Sequence, residues 1–167
     1  MLNKITRQTL IFILLIITVV FDQITKVIAR NTLSSVDELS YLGNMLTLRH
    51  TENTGAFLSL GSDLPESARF WIFSVMVSVG LGYVLWQLLR DKVMGQFETV
   101  CWAIIIGGGI GNLIDRIGRG SVTDFLNVGI GNLRTGIFNV ADMAVTFGAI
   151  ALLLIAIRNK FSAPAKS

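Results

Sequence analysis

Four apolar stretches divide this chain, and each is close to the length that a helix needs to cross a membrane. They run over about residues 8–28, 70–89, 97–114 and 137–157. A hydrocarbon core about 30 Å thick is spanned by about 20 apolar helical residues. With 52% hydrophobic and 15% charged residues, the composition excludes an ordinary soluble domain. The pattern predicts an all-α integral membrane protein, with residues 1–167 forming one polytopic domain around a four-helix transmembrane bundle.

The distribution of Lys and Arg predicts the orientation of these helices. Seven of the fourteen lie in the two terminal segments and the short connection after the second stretch: Lys4, Arg7, Arg90, Lys92, Arg158, Lys160 and Lys166. The longer connections, over 33–68 and 115–136, are less densely basic. Both termini should therefore face the cytoplasm. These flanking residues explain the net charge of +3, so no nucleic-acid partner is expected.

The first apolar stretch contains an acid and a base at membrane depth. Asp22 and Lys26 are four residues apart, so a helix places them on one face, where they would form an internal ion pair. The preceding basic residues and the segment 27–29 also resemble a cleavable signal peptide. The pair makes better sense inside a retained helix, and a retained first span is therefore expected.

The first long connection has the pattern of short strands. Residues 41–50 partly alternate between apolar and polar types, which is typical of strands with one covered face. We expect these strands to lie on the membrane and to shape an entrance.

The third stretch is rich in glycine, with Gly107, Gly108, Gly109 and Gly111. Small residues at such spacing let helix backbones pack closely. They could equally make room for a substrate chain. The sequence leaves both readings open, and the two are compatible.

The unusual polar side chains gather at one end of the predicted bundle. With the termini inside, the following fall at or near the outer face: Asp22, Lys26, Asn53, Asn112, Asp115, Arg116, Asp124, Asn139 and Asp142. Ionisable groups at membrane depth are costly and are usually functional. The cytoplasmic connections hold no comparable group, so chemistry is expected at the outer surface.

Asp124 and Asp142 are the candidate catalytic pair. Asp142 opens the fourth helix, where the N-terminal partial charge stabilises an anion, and Asn139 shares its face. Asp124 stands beside Phe125 in an apolar setting, which should raise its pKa by desolvation. Two neighbouring carboxyl groups cannot both ionise cheaply. The anionic member could then activate water while the protonated member donates to a scissile carbonyl oxygen.

The same acids admit other interpretations. In a small proton-coupled transporter or channel subunit, Asp142 and Asp22 would relay protons. In a purely structural assembly partner, removing the charge of Asp124 would have no effect. Spacing alone does not choose among these readings.

Metal and nucleophile chemistry find little support in the residue inventory. The chain has one His and one Cys, His50 and Cys101, whereas a zinc site uses several such ligands. It has no Gly-x-Ser-x-Gly motif. No metal and no cofactor are expected, and Cys101 has no partner for an intrachain disulfide.

Taken in order, five motifs resemble those of a known family. They are Asp-Gln-Ile-Thr-Lys at 22–26, Asn-Thr-Gly-Ala-Phe at 53–57, Gly-Gly-Ile-Gly-Asn-Leu-Ile-Asp-Arg at 108–116, Val-Thr-Asp-Phe at 122–125 and Phe-Asn-Val-Ala-Asp at 138–142. With four apolar stretches between them, the chain resembles the lipoprotein signal peptidases, or signal peptidase II, over essentially its full length. It departs where Phe57 directly follows Ala56, because the family motif usually has a second Ala there.

The resemblance implies an aspartic endopeptidase of the bacterial cytoplasmic (inner) membrane. Such enzymes remove the signal peptide of prolipoproteins, N-terminal to a cysteine modified with diacylglycerol. Asp124 and Asp142 fall on the catalytic dyad. The positions that line the substrate site correspond to Asn53, Gly108, Asn112, Arg116 and Asn139.

The resemblance also implies the rest of the architecture and the partners. A small β-cradle on the outer face, within about 33–68, and a short interfacial helix would accompany the four helices. The expected partners are diacylglyceryl-modified prolipoproteins and membrane lipids. The protein is expected to act as a monomer.

Overall fold

Four long helices dominate the computed structural model, which describes residues 4–34, 36, 38–56 and 59–162. They are α1 (Lys4–Leu33), α2 (Glu66–Arg90), α3 (Gln96–Arg119) and α4 (Val140–Ser162). All four are long and apolar enough to cross a membrane. Large apolar side chains such as Ile17 and Leu154 face outward, at 58% and 60% exposure. The predicted four-helix membrane bundle is confirmed.

A small antiparallel sheet covers one end of the bundle, which is called the sheet end below. Its strands are β1 (Leu39–Tyr41), β2 (Leu46–Asn53), β3 (Val122–Ile130) and β4 (Leu133–Arg134), in that spatial order. The predicted cradle lay within 33–68, but half of these strands come from the second long connection. β3 gives no alternating signal because its first four residues are all buried.

The helices α3 and α4 differ at the sheet end from the predicted spans. α3 continues past residue 114 because Asp115, only 2% exposed, has buried partners that offset its charge. It ends at Gly120, whose φ of 75° forms a left-handed cap in which its N–H bonds to Arg116 O. α4 begins at Val140, not 137, because the carbonyl of Phe138 accepts bonds from β3.

The helix α2 begins directly after Pro65, which suits a helix start because proline lacks an N–H. Its segment Phe70–Met76 has wider π-helical turns. Residues 59–63 of the preceding connection form tight turns. Among the described residues between β2 and α2 no separate interfacial helix occurs, and residues 57 and 58 lie outside them.

Close helix approach accounts for two of the glycines in α3. A methyl group on Gly108 would lie 2.5 Å from Ala141 O, the backbone of α4. A methyl group on Gly111 would collide with the carboxyl group of Asp22 on α1. The glycines therefore let α1 and α4 pack against α3 at the sheet end, which supports the close-packing reading.

Candidate active site

A cavity of about 550 Å³ opens at the sheet end between α2, α3, α4 and the sheet. Five of its lining side chains are strongly polar: Asn53, Asn112, Arg116, Asp124 and Asp142. Apolar side chains extend the cavity along the helices, with Phe73 and Val77 on α2 and Met143 and Phe147 on α4. A polar head and an apolar body characterise a ligand site.

Asp142 is held by the start of α4. Its backbone N–H donates to Asn139 Oδ1 at 2.9 Å, and its own Oδ2 accepts from Asn139 N–H at 3.1 Å. These reciprocal bonds form a capping box. The other oxygen, Oδ1, accepts from Asn112 Nδ2 at 2.8 Å. The carboxyl group is therefore fixed by one helix start and one side chain of α3.

Asp124 is held from the sheet side. It lies on β3 opposite Thr51 of β2 and is only 2% exposed. Its Oδ1 accepts from Asn139 Nδ2 at 2.6 Å, and its Oδ2 accepts from Asn53 Nδ2 at 3.0 Å. Asn139 thus contacts both carboxyl groups, one through its backbone and one through its side chain. The structure brings the two acids to one cavity.

The environment of Asp124 favours its protonated form. Burial, and next the charge of Asp142, raise the pKa of Asp124 to about 6. The bonds from Asn53 and Asn139 act in the opposite direction and stabilise the anion. The direction of this pKa shift of Asp124 agrees with the shift expected from the sequence.

Arg116 approaches the cavity from α3. Its guanidinium group donates to Gly55 O at 3.0 Å and lies 5.9 Å from the centre of the Phe73 ring. Its Nε–H is buried with no hydrogen-bond partner. Gly108, by contrast, does not line the cavity, because α4 packs directly against it.

Behind the cavity, Lys26 forms a fully buried cluster. Its Nζ lies 2.9 Å from Asp22 Oδ2, 2.9 Å from Asp115 Oδ2 and 2.8 Å from Asn112 Oδ1. An ammonium group has three donors, so all of them are used. Asn112 links this cluster to the candidate site, because its Oδ1 accepts from Lys26 and its Nδ2 donates to Asp142.

Sequence reasoning gave no role to Asp115, the second carboxylate of Lys26. The spacing of Asn112 and Asp115, three residues apart on α3, was the available signal, since it puts both on one helix face. A second role of Asp22 was not predicted from the sequence either. Its Oδ1 accepts from Ala141 N–H at 2.9 Å, which ties α1 to the start of α4.

Metal ligands do not converge in the described part of the chain. No group of three or more His, Cys, Asp or Glu side chains there could hold an ion. His50 lies 3.0 Å from Glu52 on β2, and Cys101 is a half-buried free thiol on α3.

The fold and the cavity define an integral membrane protein with a polar site sunk between its helices at one end. A family model described as signal peptidase (SPase) II matches residues 14–158, and the chain belongs to that family of peptidases. The lipoprotein signal peptidase of Acinetobacter baumannii is 39% identical over 140 residues, which cover 83% of this chain and 78% of that protein.

Two other similar proteins extend the comparison. The lipoprotein signal peptidase of Leifsonia xyli subsp. xyli is 37% identical over 144 residues, or 82% of this chain, and the match spans 62% of that relative's length. A solved structure described as a bacterial membrane enzyme superposes with a TM-score of 0.80 at 25% identity. The superposition covers 94% of this chain and 93% of that chain. The likeness therefore extends over nearly the whole of both chains.

Proposed function

We propose that this chain is an aspartic endopeptidase that removes the signal peptide of diacylglyceryl-modified prolipoproteins, N-terminal to the modified cysteine. The observation that carries the proposal is the pair Asp124 and Asp142, bridged by Asn139 in a cavity with an apolar body. The names of the similar proteins support the substrate class. The apolar walls between α2 and α4 suit acyl chains and an apolar signal peptide.

In the proposed mechanism the two acids divide the proton work. Asp142, with a backbone N–H and Asn112 donating to its carboxylate, is the base that takes a proton from water. The water oxygen bonds to the scissile carbonyl carbon, and protonated Asp124 donates its proton to the carbonyl oxygen. When the C–N bond breaks, Asp142 returns the proton to the leaving nitrogen and Asp124 recovers one from the hydroxyl.

The remaining polar residues would hold the substrate. Arg116 has a buried Nε–H without a partner, which can donate to a peptide carbonyl or a lipid headgroup oxygen. Asn53 and Asn112, which line the cavity, fix the acids and offer their remaining hydrogen-bonding capacity to an extended peptide. Asn139 is fully buried outside the cavity lining and acts through the two acids that it contacts. Gly108 acts indirectly, by letting α4 approach α3.

The proposed setting is the bacterial inner membrane, with multiple spans, both termini in the cytoplasm and the sheet end at the outer face. The cavity then lies at the depth of the outer headgroups, where a lipid-modified cysteine keeps its acyl chains in the bilayer. A monomer suffices, because both acids come from one chain.

A proton-coupled transporter has less support. Its relay would need polar groups along the bundle, but Asp22, Asp115 and Asp142 all lie at the sheet end. In the half of the bundle away from the sheet, the space between α1, α2 and α3 is filled by an apolar core that includes Ile11 and Ile106, both fully buried.

The proposed function predicts cleavage by the purified protein alone. In phospholipid vesicles without a membrane potential, it should cut a diacylglyceryl-modified precursor and leave the unmodified precursor intact, as followed by mass spectrometry of both fragments. A matched precursor with Ser in place of the modified cysteine is the control. Equal cleavage of both precursors, or activity only with a membrane potential, would contradict the proposal.

The pKa of Asp124 predicts the pH dependence of this cleavage. As the pH rises through about 6, Asp124 loses the proton that it must donate, so kcat/KM should fall. Asn53→Ala removes a bond that stabilises the Asp124 anion, so the break in the profile should move to higher pH. Initial rates across the pH range check both points; a profile that Asn53→Ala leaves in place would exclude Asp124 as the acid.

A further inference from the structure

The pairing of β2 with β3 contains an irregularity next to the candidate site. Leu48 pairs with Leu126, but the next pair is Thr51 with Asp124, so two residues of β2 oppose one of β3. This is a β-bulge. Because side chains alternate between faces along a strand, the bulge decides which side chains of β2 lie beside Asp124.

Asn53 reaches Asp124 only because of this register. Beyond the bulge Asn53 pairs with Val122, which shares a sheet face with Asp124 two residues later. In the register before the bulge, Asn53 would move to the opposite face and could not donate to Asp124. The 3.0 Å bond between Asn53 Nδ2 and Asp124 Oδ2 therefore depends on what holds the bulge.

Glu52 joins the two sides of the bulge on the face away from the cavity. Its Oε1 lies 3.0 Å from His50 Nε2 within β2 and accepts from Thr123 Oγ1 of β3 at 3.1 Å. Its Oε2 accepts from Ser121 Oγ at 2.5 Å. We call these four residues the Glu52 clasp. Glu52 does not line the cavity.

Thr123 carries the effect of the clasp to Asp124, its neighbour in sequence. Thr123 is fully buried, and its Oγ1 also accepts from Arg30 of α1 at 2.9 Å. One hydroxyl thus joins β2, β3 and α1 beside Asp124. Burial alone would raise the pKa of Glu52, but the bonds from Ser121, His50 and Thr123, and then the charge of Arg119 3.5 Å from Oε1, outweigh it and lower that pKa. The carboxyl group of Glu52 is therefore anionic at neutral pH.

We propose that Glu52 is a positioning residue, which fixes the bulged register of β2 against β3 and so keeps Asn53 within hydrogen-bond distance of Asp124. Its effect on turnover rests on the proposed peptidase function; its effect on the register does not.

A double-mutant cycle tests this role with the full-length protein in detergent micelles. Glu52→Ala and Asn53→Ala should each lower kcat on the lipidated precursor about tenfold, the effect of one lost bond to a charged group. The double variant should be no slower than Asn53→Ala alone, because Glu52 acts through Asn53. Glu52→Gln keeps an acceptor oxygen for Thr123 and should retain most activity. Glu38→Ala, which removes an exposed acid just before β1, is the matched control.

Two readouts separate positioning from general stability. Glu52→Ala should move the kcat/KM break to higher pH, as Asn53→Ala does, and a lower melting temperature with an unmoved break would overturn the proposal. So would losses in kcat that multiply in the double variant. If the wild-type protein does not cut the precursor, the peptidase function fails. The same cycle in melting temperature still tests the coupling, and additive shifts would then refute it.

Discussion

Asp124→Asn and Asp142→Asn are each expected to reduce cleavage of a diacylglyceryl-modified precursor by about 10³-fold or more, a typical loss when a group essential for proton transfer is removed. Asn at 142 cannot take a proton from water, and Asn at 124 has no acidic proton to give. The two acids act as one unit, so the double variant should be hardly slower than either single variant.

This test has a close control in the same chain. Asp63→Asn changes an exposed acid in the connection before α2, outside the cavity, and should cleave at the wild-type rate. Single-turnover cleavage, with the fragments resolved by mass spectrometry, provides the necessary range. Wild-type activity in either cavity variant would remove that residue from the proposed dyad.

Misfolding can be separated from lost chemistry through the pH dependence of stability. The pKa of Asp124 is raised in the folded protein, so its stabilising contribution is complete below the unfolded pKa of about 4 and is lost as the pH rises through about 6. Asp124→Asn removes this dependence. The melting temperature of the variant should therefore change less between pH 5 and pH 7.5 than that of the wild type, and a cooperative transition at both pH values would assign its inactivity to the missing proton.

The helices, and the position of Asp142 at a helix start, could be predicted because their signals are local. Each span is a run of apolar residues long enough for a membrane, and Asp142 follows a helix start that the Asn139 cap marks. The convergence of the polar residues could be predicted from the topology alone, since α3 ends and α4 begins at the sheet end. The predicted span ends were less accurate, because a hydropathy pattern stops at Asp115 although the helix continues.

The parts that could not be predicted depend on pairing across the chain. β3 is buried along its first half, so the alternation that marks a strand is missing, and its partner β2 is about 70 residues away. The bulge near His50 changes the register by one residue without any sequence signal of its own. The second counter-ion of Lys26 had only the weak signal of the spacing between Asn112 and Asp115, because a charged residue there is read as the end of a span until the structure places it against α1.

The second large effect is expected on stability, and it arises from the buried cluster around Lys26. Lys26 is fully buried between Asp22 and Asp115, each 2.9 Å away. Lys26→Met keeps the volume of the side chain but leaves two buried carboxylates without their shared cation. Breaking a buried ion pair in this way costs about 3–5 kcal/mol. Thermal melting in detergent should show a large fall in the midpoint.

The charge argument can be checked within the same series. Lys92→Met removes an exposed lysine at the opposite end of the bundle and should melt like the wild type. Asp115→Asn added to Lys26→Met removes one of the stranded charges and should recover part of the lost stability, whereas a cavity or packing defect would not be relieved by that change.

The contacts of Asn112 predict that this cluster also affects turnover. Lys26 and Asn139 both donate to Asn112 Oδ1, and this orientation points Asn112 Nδ2 at Asp142. A folded Lys26→Met/Asp115→Asn protein should therefore remain slower than wild type even where its melting temperature partly recovers, because the amide of Asn112 keeps only the bond from Asn139 and is held less firmly against Asp142. If Lys26→Met alone melts and cleaves like the wild type, the ion cluster neither holds α1 to the bundle nor orients Asp142.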